Sequence, residues 1–239
     1  MRLRTVSLVL LAVLALPLYC QGQTAGSSAP AGTPVAPPPS IGTDLYFNSA
    51  AAMQQALLLL PPPPMPGSNA QAANVQTLNT VIATASPQMV ANAQATANFS
   101  VFDFSTVLGP GFNAAALPKT DAFFKNVTIN TVNSSDQLKA YYNSPGPQSP
   151  ETYPSTQTMM GTDEGVLLAL MIPEKGPQLQ TFGVQEGLNR LIVNAHWPTD
   201  VTGGQMVSTI FLQDLFASPQ FVNDFTAAKT EVRAQLGYR

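Results

Sequence analysis

Asn189-Arg190-Leu191-Ile192-Val193-Asn194-Ala195-His196-Trp197-Pro198-Thr199-Asp200 sets the chain's one histidine beside its one tryptophan. Pro198 cannot continue a helix, because its ring clashes with the carbonyl four residues back and it has no N–H. The helix carrying Arg190 therefore ends before it. The same proline suits the first position of a new helix, which puts Asp200 in that helix's first turn, where a carboxylate complements the dipole. From there Asp200 can hold the imidazole Nδ1 proton and leave Nε2 free as nucleophile or base. Arg190 can offer its planar fork to a phosphate. The same spacing also suits a plain helix end, with His196 a structural residue and Asp200 a dipole partner.

Outward from this block the apolar residues recur at helical intervals, as in Val166, Leu167, Leu170 and Met171, and in Val207, Ile210, Phe211 and Leu215. Strand-like alternation is scarce. Pro and Gly fall between the periodic stretches, so the spacing predicts helices over about 48–60, 69–85, 88–105, 113–127, 135–142, 157–171, 177–195, 199–216 and 219–236. Ser218-Pro219 is a cap-and-proline start signal for the last of them. The expectation is an all-α helical bundle. Pro61 to Pro64 reads as a stiff tether leading into that bundle, with partner docking as the alternative. Three Asn-x-Ser/Thr sequons, at Asn98, Asn126 and Asn133, are matches that an Asn- and Thr-rich chain produces by chance.

The 239 residues allow one sizeable core. Ten basic against thirteen acidic residues give a formal charge of −3, and charged residues make up only 10% of the chain. No basic patch stands out, which argues against a backbone-neutralising nucleic-acid binder. One cysteine and one histidine cannot build a Cys/His metal cage or an internal disulfide. No metal and no cofactor is expected.

Met1-Arg2-Leu3-Arg4, the apolar run Val6 to Leu16, and Cys20-Gln21-Gly22 read as a secretory signal over 1–22. Lipid attachment at Cys20 is disfavoured by the bulky Tyr19 before it, and the run falls short of the roughly 20 residues that span a bilayer. Removing the segment takes Arg2 and Arg4 with it, leaving eight basic against thirteen acidic residues and a charge of −5. A periplasmic or secreted protein without stable membrane insertion is expected. Residues 23–43, rich in Ala, Pro, Gly and Ser, read as a solvated linker ahead of a helical domain over 44–239.

Arg190, five residues, His196, three residues and Asp200, with Trp197-Pro198 inside, resembles the third signature of the bacterial class A non-specific acid phosphatases. These belong to the phosphatidic acid phosphatase/vanadium haloperoxidase superfamily. Two distant stretches agree in order and spacing. Leu59-Leu60, Pro61 to Pro64 and Gly67-Ser68 resemble that family's proline-rich start. Tyr153-Pro154-Ser155-Thr156-Gln157-Thr158 sits where it carries Tyr-Pro-Ser-Gly-His-Thr. The likeness extends over about 44–236. It implies a helical bundle of the phosphatidic acid phosphatase/haloperoxidase type and metal-free hydrolysis of phosphate monoesters through a phosphohistidine. It further implies His196 as nucleophile, Asp200 as its orienting partner, and Arg190, Ser155 and the amide of Thr156 or Gln157 as phosphate ligands. Lys139, six residues, Gly146-Pro147 fits the frame of the first signature, making Lys139 a further ligand. The bland reading of Lys139 is a solvated lysine.

Two departures do not depend on alignment. No arginine lies between Arg4 and Arg190, so the first-signature arginine is absent and Gly146 fills its slot. The second-signature histidine is also missing, and Gln157 stands there; an amide can donate a hydrogen bond but cannot deliver a proton to an alkoxide. Asn189 replaces the serine before Arg190. Asp163 and Glu164 read as an acidic surface patch rather than as a replacement acid. The expectation is a divergent acid phosphatase with weak or narrowed activity. The alternative is a non-catalytic phosphate- or oxyanion-binding, or structural, module on the same fold. Self-association is left open.

Overall fold

A computed structural model describes residues 41–239; the signal segment, Cys20 and nearly all of the expected linker lie outside the described residues. The described residues hold nine α-helices and no strand. They are α1 (Ser49–Leu59), α2 (Asn69–Thr84), α3 (Pro87–Ala95), α4 (Ser105–Leu108), α5 (Pro118–Tyr142), α6 (Thr156–Met171), α7 (Gly176–Ile192), α8 (Pro198–Ala217) and α9 (Pro219–Leu236). The expected all-α class is what the chain adopts. None of these helices is long and apolar enough to cross a membrane.

Local chemistry sets most boundaries. Ser68, Ser86, Ser155 and Ser218 each cap a helix by accepting a backbone N–H three residues on, satisfying donors the first turn leaves free. Proline opens α3, α5, α8 and α9.

Three expected helices are redrawn. The span 88–105 breaks after Ala95, because the Ser100 amide donates to Asp103 Oδ2 at 2.9 Å while Ser100 Oγ accepts the Phe102 amide at 3.3 Å. That reciprocal cap starts a short 3-10 turn at 101–104. The spans 113–127 and 135–142 are instead parts of one 25-residue α5. Its polar middle runs unbroken because the side chains there are buried and bonded elsewhere. Asn130 accepts the Tyr46 amide at 3.1 Å and donates to Phe47 O at 2.8 Å; Asn133 accepts the Ile41 amide and donates to Gly42 O, both at 3.0 Å. Ile41 and Gly42, where the linker was expected to end, are thus tied to the bundle.

Helix α6 is the axis of the fold. It packs against α5, α7, α8 and α9, and Met159, Leu167, Leu168 and Met171 along it are fully buried. Its pairing with α7 requires glycine: a Cβ on Gly161 would stand 2.5 Å from the Gly183 carbonyl oxygen. One core gathers Phe104, Phe123, Phe124 and Phe221 around the C-terminal half of α6. A second joins α1 to the rest through Ala52, Ala56, Leu138, Tyr153 and Phe211. At about 25 cal/mol per Å² of apolar surface removed from water, these aromatic clusters are the main stabilising term. Helix α1 is part of the bundle, and Tyr142 and Tyr153 hold the chain at Leu60 and Pro61 by donating to their carbonyls.

Candidate functional site

The start of α8 gives His196 its position. Pro198 begins the helix and Asp200 follows in its first turn, fully buried. Asp200 Oδ2 accepts the Trp197 amide at 2.9 Å and lies 3.3 Å from His196 Nδ1. The side chain is 8% exposed. Burial pulls the imidazole below its ordinary pKa; the Asp200 hydrogen bond opposes this, and the nearby positive charges of Lys139 and Arg190 add to it. The unprotonated ring is therefore favoured, with its proton on Nδ1 toward Asp200 and a lone pair on Nε2.

The start of α6 meets the start of α8 directly. Asp200's own carbonyl accepts the Ser155 amide at 3.0 Å. Ser155 is fully buried, and its Oγ accepts the Thr158 amide at 3.3 Å and the Thr158 hydroxyl at 2.9 Å. Thr156 Oγ1 lies 2.7 Å from Ser135 Oγ of α5. The free N–H groups of this helix start face an anion-favouring end of the dipole.

Arg190, near the end of α7, is 3% exposed. Its Nη2 donates to Ala93 O at 3.1 Å and Thr96 O at 3.2 Å, while Nε is buried without a partner among the described residues. Burial lowers its pKa and Glu186, one turn earlier, restores part of it. Asn189 bridges Thr96 Oγ1 at 3.1 Å and Glu186 Oε1 at 2.9 Å. Lys139, in the last turn of α5, has its ammonium pKa lowered by burial, against the attraction of Asp136, Asp200 and Glu151. His196 and Asp200 at the start of α8 are thus tied to Ser155 at the start of α6, while Lys139 and Arg190, near the ends of α5 and α7, act on the imidazole by charge.

The two substituted positions behave differently. Gln157 is half-buried and donates through Nε2 to Ala97 O at 3.0 Å. Gly146 lies in the loop between α5 and α6, where its amide donates to Ser149 O at 2.8 Å and a Cβ would overlap the Thr152 side chain. No side chain fits that slot with Thr152 in place. The loop is tied to the histidine by Trp197, whose indole donates to Pro145 O at 2.9 Å.

Asp163 and Glu164 correct the expectation of a surface patch: they are 0% and 2% exposed. They face the interior because α5, α7 and α8 close over α6. Asp163 accepts the Thr131 hydroxyl at 3.0 Å and also the Ser208 hydroxyl. Burial still pushes its carboxyl up to about 7.

Sequence reasoning missed the end of α3, which covers both Arg190 and Gln157 with main-chain carbonyls. It also missed Asn74 of α2, which braces the first turn of α8 through Thr199 Oγ1 at 2.9 Å. Neither carries a motif. The helical periodicity over 69–85 was the one available hint that Asn74 sits on a packed face. Among the described residues no group of three or more His, Cys, Asp or Glu is arranged to hold a metal ion.

No family model matches the chain. A non-specific acid phosphatase of Salmonella typhimurium is 28% identical over 151 residues, covering 56% of this chain and 59% of that protein. A non-specific acid phosphatase of Providencia stuartii is 28% identical over 103 residues, 43% of this chain and 39% of that protein. An acid phosphatase of Zymomonas mobilis is 28% identical over 81 residues, 34% of this chain and 31% of that protein. The chain spans less than two thirds of the length of each of these relatives. The similarity supports kinship with the acid phosphatases.

Proposed function

We propose that this chain is a divergent member of the phosphatidic acid phosphatase/vanadium haloperoxidase superfamily. In this reading it transfers the phosphoryl group of a phosphate monoester to His196 and then to water. The observation that carries the proposal is the buried His196, its Nδ1 on the Asp200 carboxylate, with Lys139 and Arg190 close enough to depress its proton affinity. Nε2 attacks phosphorus, the ester oxygen departs with the bonding pair, and a phosphohistidine forms. Water then attacks the phosphorus, the P–N bond breaks with its electron pair returning to Nε2, and inorganic phosphate leaves while the water proton passes to solvent. Arg190 Nε, the Lys139 ammonium and the first amides of α6 stabilise the oxygens that gain charge.

The leaving oxygen has no evident proton donor, because Gln157 supplies only a hydrogen bond. A positioned general acid contributes roughly 10² to 10⁴ in rate. Aryl phosphates, whose alcohols leave unprotonated, are therefore the favoured substrates over alkyl phosphates. Hydrolysis of 4-nitrophenyl phosphate and of an alkyl phosphate, with His196→Ala as control, tests this. Aryl turnover that disappears in the variant is expected, and turnover unchanged by it rejects the assignment.

A second reading has one specific observation behind it: the anion-binding donors persist, including an unpartnered buried Arg190 Nε, while the acid is lost. In it the chain binds phosphate without turning anything over. Calorimetry with inorganic phosphate, alongside the assay above, separates the two: heat without turnover selects the binder.

A further inference from the structure

A cavity of about 400 Å³ lies between α5, α6 and residues 99–102, and its lining shares no residue with the candidate site around His196. Its size falls within the range of small-molecule sites. The walls are Phe99, Phe102, Phe124, Ile129 and Met160, and Glu164 stands among them as the single buried charge-bearing group. Glu164 is 98% buried, and its Oε2 has no hydrogen-bond partner among the described residues. Ser100, Asp121, Lys125 and Thr128 also line it, and a buried carboxyl without a partner costs free energy until one arrives.

The missing partner has a sign. Lys125 also lines the cavity but is engaged by Asp121, 2.7 Å away, and so does not neutralise Glu164. Behind Glu164 stand three more acids: Asp163 on the same helix, Asp103 on the 101–104 turn and Glu186 on α7. The buried cation of that region, Arg190, is turned to the carbonyls of Ala93 and Thr96. An anion is repelled here. A neutral hydrocarbon leaves the Glu164 carboxyl unpaired. A divalent metal finds Glu164 and an Asp121 already paired with Lys125, instead of six oxygens.

We propose that this cavity binds an organic ammonium ion with an aryl or alkyl body, its N–H donating to Glu164 and its charge lying against the phenylalanine rings. Rings of this kind attract a cation through their negative faces, more strongly when water is excluded. Burial first, and then Asp163, Asp103 and Glu186, push the Glu164 carboxyl well above its ordinary range, so in the unliganded protein it carries a proton. Ammonium binding ionises it, and one proton leaves for solvent. The site is independent of the phosphatase reading.

The test is titration calorimetry of the full chain at pH 8 with phenethylammonium and, as its neutral counterpart, 2-phenylethanol. The ammonium is expected to bind at least about tenfold more tightly, with proton release visible in buffers of different ionisation enthalpy. Glu164→Gln, which keeps the shape, is expected to erase that advantage. Thr128→Trp fills the cavity from α5 with Glu164 intact and is expected to abolish both heats, so it decides the matter where the glutamine variant is unstable. Equal affinity for the two probes overturns the proposal, as does ammonium binding unchanged by either substitution or no ammonium heat at millimolar concentration.

Discussion

The main-chain carbonyl of Asp200 accepts the amide of Ser155 at 3.0 Å. The residue whose carboxylate steadies His196 therefore also fixes where α6 begins. Helix α8 and helix α6 cannot shift independently without breaking one of these bonds, so the imidazole and the α6 amides keep one register. A site built on two helix starts needs such cross-ties, because each end alone frays.

Asp200→Asn tests the carboxylate half of that link. Oδ2 takes both the Trp197 amide and the His196 Nδ1 proton, so an amide oxygen in its place keeps both bonds but brings no negative charge to the ring as Nε2 bonds to phosphorus. On 4-nitrophenyl phosphate kcat is expected to fall by roughly 10² to 10³, the scale of losing one electrostatic contact to charge that develops in the transition state. Phosphate affinity measured by calorimetry is expected to change little.

The pH dependence of the reaction follows from the same burial. Burial lowers the pKa of His196, so the unprotonated ring persists below pH 6.5 and the acid limb of kcat/KM is expected there. Lys139 contributes to the lowering by its charge. Lys139→Met is expected to move that limb upward while also weakening phosphate binding; a pH profile separates the two effects, and a limb that stays put counts against Lys139 lying beside the ring.

Asp163 makes stability depend on pH. Its folded pKa is about 7, and an unfolded aspartate titrates near 3.9. Between these values the folded chain holds a proton that the unfolded chain has released, so stability falls as pH rises from about 4 to about 7 and stays lower above. The loss is at most roughly 4 kcal/mol. Asp163→Asn keeps a hydrogen-bonding group near Thr131 and Ser208 and removes the titration. Thermal unfolding of the variant is expected to be flatter across this window and to exceed the parent at pH 8.

Where a boundary depends on neighbouring residues, the reading from sequence succeeds: Pro198 starts α8 and Ser218-Pro219 starts α9. It fails where a distant partner decides. The span 128–134 reads as a break, yet α5 continues because residues near 41–47, and Asp163, take up its polar side chains. Paired acids normally mark a surface; nothing local to Asp163-Glu164 announces that three helices close over them. Arg190 was legible from its spacing to His196. Its anchors were not, because the carbonyls of Ala93 and Thr96 are groups that any residue would offer.

Replacing the two absent family residues is expected to give opposite results. Gln157→His puts an imidazole where Gln157 Nε2 now meets Ala97 O at 3.0 Å. One ring nitrogen can keep that carbonyl while the other serves the leaving oxygen. Alkyl phosphate hydrolysis is expected to rise by about 10², with a smaller gain on aryl phosphates, whose leaving groups need no proton. Gly146→Arg gains nothing, because its Cβ overlaps Thr152 before the guanidinium can be placed. Overpacking of this kind costs about 1 to 3 kcal/mol, read as a lowered Tm. Equal gains on both ester classes from Gln157→His would remove the argument that leaving-group protonation is the missing step, and an undiminished Tm in Gly146→Arg would show that the loop has room that the Thr152 contact denies.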